Sequence, residues 1–124
     1  MDLLLDTQTI VWIISGDPRL SSAARQAMVA EDSRIFISAV TAFEFWDLEV
    51  RGRFPDAVRF SVACDTLSAG LLDFPAEAWS LIAALPMLHR DPVDRMLIAH
   101  AIHADLTLVT ADTIMRDYPV KSLW

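Results

Sequence analysis

The chain opens with LLLDTQTIVWIIS, residues 3–15, in which three leucines lead through one aspartate into a second apolar-rich segment. A short uninterrupted apolar run is typical of a strand buried on both faces of a parallel sheet. The residues from Thr7 to Ser15 favour a helix, and Gly16 ends it. The first element is therefore a strand followed by a helix, with Asp6 at the junction.

The same alternation of strands and helices continues to the end of the sequence. Further strands are predicted at 34–38, 70–73, 106–109 and 120–123. Further helices are predicted at 22–31, 40–51, 55–68, 75–85, 92–104 and 112–116. Strands that alternate with helices predict an α/β fold, in which a mainly parallel sheet is covered by helices on both sides.

Length and composition indicate one soluble domain, residues 1–124. The chain is 54% hydrophobic and has no apolar run of about 18 residues, so no membrane span is expected. A single cysteine, Cys64, excludes an internal disulfide and favours the reducing cytoplasm. The net charge of −7 argues against a simple electrostatic nucleic-acid binder. It leaves room for a metal-dependent nuclease, whose clustered acids add to the negative total.

Four acidic residues lie in apolar surroundings, where an unpaired carboxylate is costly. They are Asp6, Glu44, Asp94 and Asp112. Each follows a predicted strand or lies near the start of a predicted helix, so the parallel topology gathers all four at one edge of the sheet. Carboxylate oxygens are the ligands that hard cations such as Mg²⁺ and Mn²⁺ take. The sequence therefore predicts a divalent metal site at that edge.

Each acid also has a purely structural interpretation. Asp6 and Asp112 stand where helix N-caps are common. Asp94 is a first-turn carboxylate that a helix dipole would stabilise. Asp91 is the better cap for that helix, because it directly precedes Pro92, and this leaves Asp94 available for another task.

We interpret the histidines and the large apolar side chains of the sequence as structural residues. His89, His100 and His103 show no zinc-binding spacing and are predicted to be surface or packed residues. Large apolar side chains are frequent along residues 40–50, and an excess of this kind also suits a subunit interface.

Four segments, in order, resemble the PIN-domain family and, within it, the VapC-like ribonuclease toxins of toxin–antitoxin pairs. They are LLLDTQTIVW, ISAVTAFEFWDLEVRGRF, HRDPVDRMLIAHA and LVTADTIMRDYPVKSLW. These segments match the family's first, second, third and fourth acids at Asp6, Glu44, Asp94 and Asp112. HRDPVDRMLIAHA is the most specific of the four.

The resemblance implies a three-layer α/β/α fold and Mg²⁺- or Mn²⁺-dependent endonucleolytic cleavage of RNA by metal-activated water. It also implies a small cognate antitoxin and a homodimer. Our hypothesis makes Asp6 and Asp94 the core metal ligands. Glu44 and Asp112 complete the shell, and the hydroxyls of Thr7, Ser38 and Thr110 orient the carboxylates.

Other classes stay open at this stage. A catalytically silent module of the same fold would act through partner binding alone. A metal-dependent phosphatase of the haloacid type is disfavoured, because Asp6-Thr7-Gln8 lacks the second aspartate of its motif. A flap nuclease is disfavoured because the compact chain has no arch or clamp insertion.

Overall fold

A computed structural model describes residues 1–55 and 58–124. Its strands are β1 (Asp2–Leu5), β2 (Arg34–Ser38), β3 (Gly70–Leu72), β4 (Thr107–Val109) and β5 (Ser122–Leu123). Among the described residues they form one five-stranded sheet in the order β3-β2-β1-β4-β5. Every neighbouring pair is parallel, so all carboxyl ends lie at the same edge.

Seven α-helices connect the strands in the part of the chain that the structure describes. They are α1 (Thr7–Ser15), α2 (Ser22–Val29), α3 (Ala39–Val50), α4 (Phe60–Leu67), α5 (Trp79–Ala84), α6 (Pro92–His103) and α7 (Thr113–Arg116). A short 3-10 helix, Ala76–Ala78, leads into α5. None of the helices within 1–55 and 58–124 is long and apolar enough to cross a membrane.

The three leucines of β1 divide between two hydrophobic cores. Leu3 and Leu5 are fully buried and pack on one face of the sheet with residues that include Phe45 of α3. Leu4 is equally buried but points to the opposite face, where it packs with residues that include Ile98 of α6. Alternation along a strand sends successive side chains to opposite faces. A strand that is apolar on both faces therefore lies between two helical layers, which confirms the predicted α/β/α fold.

Two predicted helices begin later than the sequence suggested. The stretch predicted to start at Pro55 becomes helical at Phe60, whose backbone N–H donates to the Glu49 carboxylate at 2.7 Å. The Glu49 side chain, 11 residues earlier, thus accepts from one of the backbone N–H groups that the first turn of a helix leaves unpaired. Residues 56–57 of that prediction lie outside the described residues. The stretch predicted from Pro75 starts as a 3-10 turn and becomes α-helical at Trp79.

The strand order places a crevice between β1 and β4. The chain runs from β1 to β2 on one side, whereas β4 pairs with the other side of β1. In open parallel sheets, ligands bind at such a reversal point, outside the carboxyl ends of the strands. Asp6 directly follows β1 there, and Thr110 directly follows β4.

Shortening Leu4 is expected to destabilise the fold. Its side chain is fully buried in the central strand, so Leu4→Ala leaves a cavity that its neighbours cannot fill completely. We expect the free energy of unfolding to fall by about 2–5 kcal/mol in urea denaturation. Val29→Ala is the control, because Val29 is 76% exposed, and its effect should stay within about 0.5 kcal/mol. Equal effects of the two substitutions would contradict the two-core arrangement.

Candidate functional site

A cavity of about 460 Å³ opens at the carboxyl edge of the sheet. Its lining includes the four predicted acids, Asp6, Glu44, Asp94 and Asp112, together with Asp91. The structure therefore brings together carboxylates from four separate segments of the chain. The other lining groups are mostly apolar or uncharged.

Asp6 ties the first helix to the neighbouring strand. One carboxylate oxygen accepts a hydrogen bond from the Thr9 backbone N–H at 2.8 Å and so caps α1. The other oxygen accepts from the hydroxyl of Thr110, just beyond β4. The side chain is almost fully buried. Burial raises the pKa of Asp6, and the hydrogen bonds from Thr110 and Thr9 oppose that rise.

Glu44 reaches the cavity from α3. Its Oε1 accepts a hydrogen bond from the Thr7 hydroxyl at the start of α1. Burial raises the pKa of Glu44, the Thr7 hydrogen bond opposes that rise, and the negative charge of Asp91 adds to it. The predicted hydroxyl contacts of Thr7 and Thr110 with carboxylates are therefore confirmed.

Asp91 and Asp94 share the N-terminus of α6. The Asp91 carboxylate caps the helix by accepting from the Val93 backbone N–H at 2.9 Å, with Pro92 in the first turn, as predicted. Asp94, three residues after the cap, lines the cavity. Burial, followed by repulsion from Asp91 and Glu44, raises the pKa of Asp94 to about 7.

Asp112 combines a structural contact with a place in the cavity. Its Oδ1 accepts from the backbone N–H groups of Ile114 and Met115 at 2.8 and 3.3 Å, which caps α7. Its Oδ2 lies 3.3 Å from Nε2 of His89. The capping interpretation is thus correct for both Asp6 and Asp112. It does not compete with the site, because the two oxygens of a carboxylate offer about four lone pairs and the caps use only some of them.

The prediction that all three histidines are surface or packed residues did not anticipate that His89 lies beside the acids. Its Nε2 lies 3.1 Å from Asp94 and 3.3 Å from Asp112, and its side chain is 19% exposed at the edge of the acidic cavity. The prediction is correct for His100, which is buried with Nδ1 2.8 Å from the Ser38 hydroxyl. It is also correct for His103, which is exposed.

Ser38 does not orient a carboxylate, contrary to our hypothesis. Its hydroxyl oxygen accepts from the Val40 backbone N–H at 3.1 Å, which caps α3, and pairs with the ring of His100. Ser38 is completely buried on the route from β2 into α3. Its task is to begin the helix that carries Glu44.

The donor atoms form two overlapping groups among the residues that the structure describes. One consists of Glu44, Asp91 and Asp94, and the other of His89, Asp94 and Asp112. In each group the donor atoms lie within 4.8 Å of one another. Asp94 belongs to both groups. Asp6 belongs to neither, although it lines the same cavity. Oxygen-rich sets of this kind fit a hard divalent cation.

Sequence reasoning missed Asp91 and His89 as members of the site. Asp91 had a detectable signal, because it stands three residues before Asp94 and such pairs lie close together at a helix terminus. His89 lies in the loop between α5 and α6, where no periodicity indicates which way a side chain points. Only the packing of that loop brings the ring to the acids.

The protein belongs to the PIN domain family, whose model matches residues 3–121. This span contains all four acids and the whole cavity lining. No curated protein gives a significant match to the sequence.

Solved structures with the same fold include three from bacteria. VapBC2 from Rickettsia felis, bound to promoter DNA, is 19% identical, with a TM-score of 0.76 over 99% of this chain and 98% of that one. DNA-bound VapBC from Salmonella typhimurium is 23% identical, with a TM-score of 0.73 and coverages of 99% and 97%. VapC20 from Mycobacterium tuberculosis, a sarcin–ricin-loop-cleaving toxin, is 18% identical, with a TM-score of 0.65 and 93% coverage of both chains.

The raised pKa of Asp94 predicts a pH dependence of stability in the metal-free protein. Asp94 retains its proton up to about pH 7 in the folded state, whereas its ordinary pKa is 3.8. As the pH rises between these values, the unfolded chain releases a proton that the folded protein keeps, so this group lowers stability. The asparagine side chain in Asp94→Asn cannot ionise, so the variant does not lose stability with rising pH through this position.

The measurement is the free energy of unfolding in EDTA from pH 4 to 8. We expect the wild-type value to fall more steeply than that of Asp94→Asn, which should be the more stable protein above pH 7. Asp117→Asn is the matched control, because Asp117 is exposed. Parallel pH profiles for wild type and Asp94→Asn would contradict the raised pKa of Asp94.

Proposed function

We propose that the protein is an endoribonuclease that uses Mg²⁺ or Mn²⁺ and acts as the toxin of a toxin–antitoxin pair. The observation that carries this proposal is the convergence of Asp6, Glu44, Asp94 and Asp112 on one cavity. Four carboxylates in a partly buried space repel one another, and a divalent cation relieves that repulsion. We take residues 1–124 to be a single nuclease domain that works in the cytoplasm.

The donor set fits the proposed cation. Its carboxylate oxygens are hard ligands, and Asp94 is shared by both donor groups. The proposal departs from the sequence hypothesis in one respect, because Asp6 belongs to neither donor group. Asp94, Glu44 and Asp112 would hold the ion directly or through water, and Asp6 would complete the site from the end of β1 rather than act as a core ligand. When bound, the ion would orient the scissile phosphate, lower the pKa of a water molecule and offset the negative charge that develops on the phosphoryl oxygens.

The side chains of the chain itself supply orientation and proton transfer. Thr110 fixes Asp6, and Thr7 fixes one oxygen of Glu44, so neither carboxylate has to be ordered when substrate arrives. The second oxygen of Glu44 would be free to accept the proton of the attacking water. Because water attacks rather than the ribose 2′-hydroxyl, the products carry a 5′-phosphate and a 3′-hydroxyl.

The proposed partners are an RNA substrate and a small cognate antitoxin. The structural neighbours from Rickettsia felis and Salmonella typhimurium are VapBC proteins, and the VapC20 neighbour is an RNA-cleaving toxin. These likenesses support the assignment by fold. The acidic cavity supports it by chemistry.

Cleavage should depend on Asp94 and on a divalent cation. We expect the purified protein to cut a total RNA pool with Mg²⁺ or Mn²⁺ but not in EDTA. Asp94→Asn should reduce the rate by about a hundredfold or more, because it removes the carboxylate that both donor groups share. Gel analysis of the fragments and of their 5′ ends provides the readout.

The control for this assay is Asp117→Asn, which removes an exposed acid outside the cavity lining and should cut at the wild-type rate. The protein must first be freed of any co-purifying antitoxin by denaturation and refolding. Absence of cutting with either metal would favour the catalytically silent, partner-binding module. Full activity of Asp94→Asn would refute the assignment of the centre.

The exposed face of α3 supports a homodimer. Phe43, Trp46 and Val50 recur at helical spacing and are 60%, 57% and 67% exposed. Phe43 also lines an entirely apolar groove of about 420 Å³ together with Val93 and Met96 of α6. Contiguous apolar surface of this kind marks an interaction site. We propose that a second copy of the chain covers it.

A charge on this face should separate the two copies. Trp46→Glu places a carboxylate in the proposed contact, where its burial is costly, so we expect a monomeric mass in light scattering at concentrations at which the wild type is dimeric. Trp79→Glu is the matched control, because Trp79 is 68% exposed and lies on α5. A wild type that stays monomeric, or a Trp46→Glu variant that stays dimeric, would contradict this interface.

A further inference from the structure

The ring of His89 bridges two acids that come from different parts of the chain. Its Nε2 lies 3.1 Å from Oδ2 of Asp94, at the start of α6, and 3.3 Å from Oδ2 of Asp112, just after β4. The Asp112 carboxylate also caps α7, and Asp94 stands in the first turn of α6, whereas the His89 ring joins one acid to the other. His89 therefore stands where it contacts both acids at once.

A second contact identifies which ring nitrogen carries the proton. The backbone N–H of Asp91 donates to Nδ1 of His89 at 3.1 Å, so Nδ1 presents its lone pair and Nε2 carries the hydrogen. A nitrogen that carries a hydrogen has no lone pair for a metal ion. In this arrangement the Nε2–H of His89 donates a hydrogen bond to Asp112 and lies 3.1 Å from the Asp94 carboxylate. The ring is not itself a metal ligand, although it is close enough to be counted among the donors.

Two buried residues, Tyr118 and Arg95, hold the loop that carries His89. The His89 backbone N–H donates to the Tyr118 hydroxyl at 2.7 Å, and Arg95 donates to the same hydroxyl at 3.2 Å. Arg95 also donates to the carbonyls of Pro86 and Ile82 at 2.8 and 2.9 Å. Its guanidinium thus holds together the end of α5 and the start of the loop. This hydrogen-bond network holds the loop, and with it the His89 ring, in one position.

We propose that His89, held in place by Tyr118 and Arg95, is a positioning residue that orients the Asp94 and Asp112 carboxylates for the divalent cation. The inference rests on the proposed metal-dependent function of the same cavity. Donors behind metal-binding side chains fix the direction of the ligand lone pairs, and their loss weakens metal binding. The opposite possibility, that the ring merely replaces an absent cation, predicts unchanged or tighter binding when the ring is removed.

The test measures Mn²⁺ binding by calorimetry in the absence of RNA. His89→Ala should weaken the binding by about 10- to 100-fold. His89→Gln, whose amide N–H can replace the Nε2 donor, should bind more tightly than His89→Ala. Tyr118→Phe leaves His89 in the protein but removes the hydroxyl that holds the His89 loop. This variant should also bind Mn²⁺ more weakly than the wild type, by a smaller factor than His89→Ala. His103→Ala is the matched control, since it removes an exposed histidine of α6.

The outcomes separate this inference from the proposed function. Wild-type protein that binds no Mn²⁺ would overturn the metal site and the positioning role together. Wild-type binding that His89→Ala leaves unchanged or makes tighter would overturn the positioning role alone. Equal weakening in His89→Ala and His89→Gln would show that ring volume matters rather than the N–H donor, and would also overturn it. Thermal unfolding in EDTA verifies that each variant is folded.

Discussion

The hydrogen bond from Thr110 to Asp6 joins the ends of the two strands on which the rest of the site is built. Asp6 follows β1 and Thr110 follows β4, and the Asp6 backbone N–H also donates to the Val109 carbonyl at 3.3 Å. With the strand ends held together, the helices that leave them diverge around one crevice. The other acids face that crevice from α3, α6 and α7 because these helices start at the same edge.

The acids of this site show how structural and chemical roles combine in one side chain. Asp6, Asp91 and Asp112 each cap a helix with one oxygen. Capping fixes the carboxylate, so the remaining lone pairs point in a defined direction without further ordering cost. The same helix N-termini present a partial positive charge that lessens the repulsion among the acids. Helix capping therefore also orients the carboxylates of the site.

The sequence was sufficient for the layers and for the four acids, but not for the side chains that organise them. The leucines of β1 and the strand–helix alternation are local patterns, and local patterns determine the parallel sheet and the edge at which acids gather. His89 and Ser38 depend instead on contacts between distant segments: His89 reaches Asp112, 23 residues away, and Ser38 pairs with His100, 62 residues away. The first turn of α4 likewise has a hydrogen-bond acceptor, Glu49, that lies 11 residues earlier in the chain.

The two outermost strands of the sheet, β3 and β5, are both short. They contain three and two residues, respectively. A sheet margin that short offers few free backbone groups to a strand of another molecule, which is a common protection against uncontrolled aggregation. The large exposed apolar side chains of α3 lie instead on a helix, away from the backbone of the sheet margin. A protein of this architecture can display a hydrophobic helix face to its partners without offering a template for fibril growth.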